Sequence, residues 1–217
     1  MRMPRPVALA FLAATLLAPR AAFPQAALGA RAFGGYNTYA MDDWNDIRRA
    51  LLVPSSEFSR PKDGYSLGVG AEYAWKPWLS FTFSYERLAV GRMAEVNGQK
   101  MKFPANALLL EAEYRRRLRP RFRIGLGGGA GYYRLGEEIE SPGTNRDFEG
   151  ESSGGQAFAL GEWEMTPAAS VGLDLGYRWA KVGVDKVNRQ PPPTAIDMDY
   201  SGLNTRLVLR YLPRRRQ

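Results

Sequence analysis

Residues 71–88 read AEYAWKPWLSFTFSYERL. Before the proline, Ala71, Tyr73 and Trp75 alternate with Glu72 and Ala74; after it, Leu79, Phe81, Phe83 and Tyr85 alternate with Ser80, Thr82, Ser84 and Glu86. A period of two marks an extended chain, whose successive side chains leave on opposite faces. The Trp75-Lys76-Pro77 step is a tight turn, since proline fixes φ and donates nothing to a ladder. The stretch therefore predicts a β-hairpin with one oily face and one polar face.

The same pattern spreads in both directions. In 67–75, Leu67, Val69, Ala71, Tyr73 and Trp75 oppose Gly68, Gly70, Glu72 and Ala74. In 171–179, Val171, Leu173, Leu175, Tyr177 and Trp179 oppose Gly172, Asp174, Gly176 and Arg178. In 200–212, Leu203, Thr205, Leu207, Leu209 and Tyr211 oppose Gly202, Asn204, Arg206, Val208 and Arg210. Weaker versions cover 28–38, 105–118, 121–135 and 155–165; in the last, Phe158 and Leu160 blur the alternation, and the polar face falls at Gln156, Glu162 and Glu164. With 79–86 these make eight predicted strands.

The predicted connections alternate in length. Trp75-Lys76-Pro77, Leu118-Arg119-Pro120 and Met165-Thr166-Pro167 are short and carry one proline each, whereas 39–64, 91–104, 136–152 and 183–198 are long and polar. A weak repeat runs with them: Glu72-Tyr73, Glu113-Tyr114 and Glu162-Trp163 precede the turn prolines, and Tyr85, Tyr133 and Tyr177 follow them. Short turns on one end and long loops on the other describe an up-and-down membrane barrel. Tyr and Trp near strand ends suit its headgroup girdles. The fold class expected is thus all-β: a closed antiparallel up-and-down transmembrane barrel of about eight strands.

The minor face decides which side looks inward. It carries Arg31, Arg115, Arg123, Arg178, Arg206 and Arg210 against Glu72, Glu86, Glu111, Glu113, Glu162, Glu164 and Asp174. Six cations against seven anions fit a mutually paired lumen, which an eight-stranded barrel fills with side chains. Glycines at 125, 127, 129 and 131 are expected to make room for long Arg and Glu chains from the opposite wall. A soluble barrel with the oily face inside, holding a ligand as lipocalins do, is the competing reading of the same alternation.

The 217-residue chain carries net +8, with 11 Tyr, 10 Phe, 5 Trp and 23 Gly. Residues 1–26 read as a secretory signal peptide: Arg2 and Arg5, the uncharged run VALAFLAATLLA at 7–18, then small residues, with cleavage expected within 22–27. Its removal with Arg20 leaves a mature charge nearer +5. The organisation expected is signal peptide 1–26, barrel 27–213 and basic tail 214–217. With the aromatics spread apart from the cations, the charge does not form a nucleic-acid surface. No later segment is long and apolar enough for a transmembrane helix.

The hairpin AEYAWKPWLSFTFSYERL and the closing strand YSGLNTRLVLRYL (200–212), after an export signal, resemble the small eight-stranded outer-membrane barrels of the OmpA-transmembrane, OmpX and OmpW-like group, over about 28–212. The resemblance implies residence in the cell outer membrane, contact with its lipid and lipopolysaccharide, and assembly by the outer-membrane insertion machinery, which reads the last strand; Leu203, Leu207, Leu209 and Tyr211 match that signal. The sequence departs from the group after Tyr211, where Leu212, Pro213 and Arg214–Gln217 follow instead of an aromatic stop. Two roles are compatible with it: a structural or surface-binding barrel, or a narrow OmpW-like transport barrel for small or hydrophobic solutes.

Catalysis is not expected. The barrel enzymes of this size use histidine as base, and the sequence has no His and no Cys. That also removes the usual transition-metal ligands, and no metal or cofactor is expected. The carboxylate pairs Glu111/Glu113 and Glu162/Glu164 read as partners of arginine. The GGGAG run at 127–131 lies inside a strand and opens no helix, so it is packing space and not a phosphate loop. Within the first long loop, DDWNDIRRALL (42–52) predicts a short helix with Trp44, Ile47 and Leu51 on one face, either loop packing or a lid over the barrel mouth.

Overall fold

The computed structural model describes residues 27–41, 63–90, 94–96, 99–101, 104–139, 146–187 and 197–213. Eight long strands form the wall: β1 Ala27–Thr38, β2 Asp63–Lys76, β3 Leu79–Val90, β4 Ala105–Arg119, β5 Phe122–Ile139, β6 Arg146–Glu164, β7 Ala169–Trp179 and β8 Gly202–Tyr211. Each pairs antiparallel with the next, and β1 pairs with β8 from Ala30↔Tyr211 to Asn37↔Asn204, which closes the barrel. All eight strands expected from the sequence are present. The helix expected at 42–52, with Trp44, Ile47 and Leu51, falls outside the described residues, as do the expected signal peptide 1–26 and basic tail 214–217.

The faces follow the alternation. On β8, Leu203, Leu207 and Leu209 are exposed while Asn204, Arg206, Val208 and Arg210 are buried. Leu207 is 56 % and Leu126 66 % exposed. The oily face therefore forms the outside of the tube, which only a lipid solvent accepts at this extent. That overturns the soluble lipocalin-like reading, in which Phe81, Phe83, Leu207 and Leu209 would meet in an enclosed core.

Aromatic residues ring both ends. Trp75 with Phe81, Trp78 with Tyr114, and Phe122 with Trp163 sit at the short-turn end, with ring centroids 6.3, 5.9 and 6.5 Å apart. Tyr36 with Tyr65, and Tyr177 with Trp179, sit at the long-loop end, at 5.7 and 5.2 Å. Tyr65 and Trp75 lie ten residues apart on β2. At about 3.4 Å per residue and a tilt near 40°, they stand about 26 Å apart in height, matching the ~25 Å apolar band of outer-membrane barrels.

Three expectations need correcting. The connection 136–152 is mostly ladder: β5 and β6 stay paired from Ile139↔Arg146 downward, so β6 begins nine residues before the expected 155. The polar sequence hides this extension, because it carries no apolar alternation to mark a strand. Short pairs also occupy two other connections, Ala94–Val96 with Gln99–Met101 and Lys181–Gly183 with Asp197–Asp199. Finally, β8 starts at Gly202 and not at Tyr200. Gly202 has φ +156, and a Cβ there would meet the Thr38 carbonyl oxygen at 2.2 Å, so the chain enters the wall where only glycine fits.

Candidate functional site

The alternation that turns oily residues outward aims every other side chain into the lumen. Eleven of the thirteen charged residues singled out by sequence are buried there: Arg31, Glu72, Glu86, Glu111, Glu113, Arg115, Glu162, Asp174, Arg178, Arg206 and Arg210. Arg123 and Glu164 stand half-buried at the short-turn mouth.

Opposite charges meet across the tube. Glu113 accepts from Arg31 Nη1 at 2.7 Å and holds Arg210 Nη2 at 2.9 Å, with Arg115 Nε at 3.7 Å. Glu111 receives Arg31, both terminal nitrogens of Arg206 at 3.2 Å, and the Gln156 amide at 2.5 Å. Asp174 takes Arg206 Nη2 at 3.3 Å. Glu162 takes Arg210 Nη1 at 2.8 Å and Arg115 Nη1 at 3.1 Å, with Arg123 at 3.8 Å. Glu72 binds Arg115 and, at 3.5 Å, Arg210 Nε. Arg178 Nη2 donates to Glu86 at 2.6 Å and to Gln156 at 3.3 Å. Glu164 closes the mouth with Arg123, and with Arg117 at 3.0 Å.

Each of the seven carboxylates thus has an arginine. Shared partners lower the entropic cost per pair, and fully desolvated charges demand this degree of pairing. Arg117 was missed by the sequence reading; standing two residues from Arg115, it shares its face, and that spacing was the available signal.

Aromatic rings complete the packing. The Arg206 guanidinium lies 4.7 Å from the Phe158 ring centroid and 5.2 Å from that of Phe33, and Arg31 lies 5.3 Å from Phe33. Cations over ring faces gain ~0.5–2 kcal/mol each. Phe158 and Leu160, which blurred the alternation in sequence, are buried lumen residues. The expected use of the β5 glycines is corrected here. A Cβ at Gly127 would strike the Phe158 ring at 2.4 Å, and one at Gly131 would strike Leu109 at 2.5 Å. At these two positions the space serves apolar side chains, with the Glu113 Cγ also 3.2 Å from a Gly127 Cβ, whereas at Gly125 and Gly129 a Cβ would meet the β4 backbone.

Above the ion pairs, toward the long loops, the lumen turns apolar. Tyr39, Met41, Leu88, Ala105, Ala107, Leu109, Tyr133, Leu135, Ala180, Val182, Val184, Met198 and Tyr200 form one buried cluster. Chain segments beyond β1 and β7 bend over the mouth to supply it. Met41, in the left-handed region at φ 46, donates its amide to the Asp199 carbonyl at 3.2 Å, and Tyr200 donates to the Ala180 carbonyl at 2.8 Å. Tyr39 and Tyr200 meet edge to face at 5.6 Å. Burial pushes the Tyr200 phenol well above its ordinary value. Sequence reading missed this plug because its loop residues are brought together only by the closed wall.

At the short-turn mouth lies a cavity of about 50 Å³ lined by Arg115, Arg123, Glu162, Glu164, Ser170 and Arg210 among others. It has room for a few waters. Among the described residues no cluster could hold a metal ion.

The sequence matches the outer membrane protein beta-barrel domain over residues 8–210. No curated protein matches it. Among solved structures, it is similar to Neisserial surface protein A, with 17 % identity, 86 % of this chain and 97 % of that one covered, and a TM-score of 0.54. It is similar to the N-terminal barrel domain of Pseudomonas aeruginosa OprF at 12 % identity, covering 87 % and 98 %, with a TM-score of 0.52. It is also similar to the Pseudomonas aeruginosa outer membrane protein OprG at 11 % identity, covering 87 % and 96 %, with a TM-score of 0.54. At such identities the likeness speaks to the fold, whereas the match over most of the sequence speaks to descent: the chain belongs to the outer-membrane protein beta-barrel domain family, and its place is the cell outer membrane.

Proposed function

We propose that the protein is a sealed outer-membrane barrel, neither channel nor enzyme, whose role is structural or surface-binding and is carried by its outer wall and its long extracellular connections. The observation that carries this reading is the double closure of the lumen. Arg206, fully buried, bridges Glu111 on β4 and Asp174 on β7 through the middle of the tube, and the Leu88–Leu109–Tyr200 cluster fills the extracellular half above it. A path for solute would need both layers displaced, so a narrow transport barrel is the weaker assignment.

The same pairing argues against catalysis. A working carboxylate must be reached by its substrate, and here the lumen carboxylates, each paired with arginine, are buried inside the filled tube. Lipopolysaccharide and the insertion machinery are the partners that the exterior fits; Leu203, Leu207, Leu209 and Tyr211 all face outward on β8 for the latter to read. The test is reconstitution into a planar bilayer. Absence of single-channel steps across voltages, with the folded state verified by heat-modifiable gel mobility, agrees with a sealed barrel; reproducible unitary steps would reverse the order of the two readings.

A further inference from the structure

The turn from β4 to β5 reads RRRLRPRFR from Arg115 to Arg123. Arg115 and Arg123 turn inward to Glu72, Glu162 and Glu164, and Arg117 is held by Glu164. Arg116, Arg119 and Arg121 are exposed and have no such role. On β4 the exposed positions Leu108, Leu110, Ala112 and Tyr114 continue at the same spacing to Arg116, which pairs with Ile124 of β5. Arg116 therefore leaves the wall on its lipid side, two residues past the Tyr114–Trp78 contact of the aromatic ring. Next to it, the Lys76 Nζ lies 5.2 and 5.1 Å from the ring centroids of Trp75 and Trp78.

Among the described residues this rim exposes no compensating carboxylate. Glu72, Glu113 and Glu162 are buried in the lumen, and the Glu164 side chain is 13 % exposed and bound by two arginines. The extracellular end, by contrast, mixes its signs, as in Lys181 with Asp197 and Lys186 with Glu149. The last wall strand also ends at this rim, at Tyr211, after which the sequence continues through Leu212 and Pro213 to Arg214, Arg215 and Arg216.

We propose that the short-turn rim is a binding site for anionic phospholipid of the periplasmic leaflet, whose headgroup phosphates are gripped by Arg116, Arg119 and Arg121 with Lys76 beside them. A guanidinium fork matches phosphate oxygens two at a time. The outward exit of Arg116 beside ring-forming aromatics places that fork at headgroup depth and not in the periplasm. A soluble acidic polymer would find its inward-leaning cations, Arg117 and Arg123, already occupied by Glu164.

The experiment uses the full chain in nanodiscs of equal phosphatidylglycerol and phosphatidylethanolamine, with retained lipids counted by native mass spectrometry. Phosphatidylglycerol should be retained in excess. The combined variant Arg116→Gln, Arg119→Gln, Arg121→Gln should reduce that excess by about fivefold per arginine, the equivalent of the ~1 kcal/mol a basic residue gains at an anionic surface. The control Arg134→Gln, Lys181→Gln, Lys186→Gln should retain it. Equal retention of the two lipids overturns the proposal, as does an excess that survives the rim substitutions. Loss of the excess to inorganic phosphate, but not to chloride of equal ionic strength, would make the rim a free-anion site and overturn it likewise. Heat-modifiable mobility of each variant reports that the barrel is folded.

Discussion

Arg31 and Arg210 stand directly opposite each other where β1 closes on β8, and Glu113 reaches from β4 across the lumen to bind both. Like charges in direct cross-strand register repel; Glu113 is the anion the two cations share, with Glu111 also on Arg31 and Glu162 and Glu72 also on Arg210. Glu113→Gln removes that anion while keeping size and shape. Arg31 and Arg210 keep their other carboxylates, so the expected cost is about 1–3 kcal/mol, the range for buried polar groups left short of a hydrogen-bond partner, read from urea unfolding in lipid vesicles. Adding Arg31→Met to the same variant should recover part of the loss. A cost below ~1 kcal/mol would mean that the lumen admits enough water to screen the pair.

The apolar plug and the ion-pair layer close the tube independently. Leu88→Ala empties part of the upper cluster and should cost about 2–5 kcal/mol, as deletions of buried leucine do. Bilayer conductance should stay absent, since Arg206, Glu111 and Asp174 still fill the level below. Unitary steps in this variant alone would show that the plug is the only seal.

Gly202 marks the point where the chain leaves the plug at Tyr200 and enters the wall. Gly202→Ala forces a side chain into a φ that L residues avoid and against the Thr38 carbonyl. A loss of about 1–3 kcal/mol is expected from backbone strain, with the larger effect at the β1–β8 seam. Amide exchange should rise at Leu203, whose N–H is held by Thr38 Oγ1 at 2.9 Å, before it rises at Leu209. Uniform exchange along β8 would deny the local strain.

The wall was legible in the sequence because period two is a local signal that lipid makes unambiguous. Residues such as Leu207 and Arg206 differ in face by one position, and a slip of one would put Arg into hydrocarbon. The charged lumen set was legible for the same reason. Phe158 and Leu160 were harder: an inward apolar residue breaks the alternation, and for Phe158 it is the space at Gly127 and the stacking of Arg206 that explain it. The plug was out of reach, since Met41, Val182 and Met198 lie far apart in sequence and meet only after closure. The upward reach of β5 and β6 past Leu135 was hidden too, because the polar run that includes Glu137, Glu138 and Asp147 carries no apolar alternation and reads as loop.

The central claim is that oily side chains face lipid while arginine and carboxylate neutralise one another inside. Nuclear Overhauser contacts in deuterium-labelled protein with protonated lipid test it most directly. Leu207 and Leu209 methyls and the Phe81 ring should show strong contacts to acyl-chain protons, whereas Val208, buried between them in sequence, should show none. Acyl contacts at Val208, or none at Leu207 and Leu209, would contradict the orientation and everything built upon it.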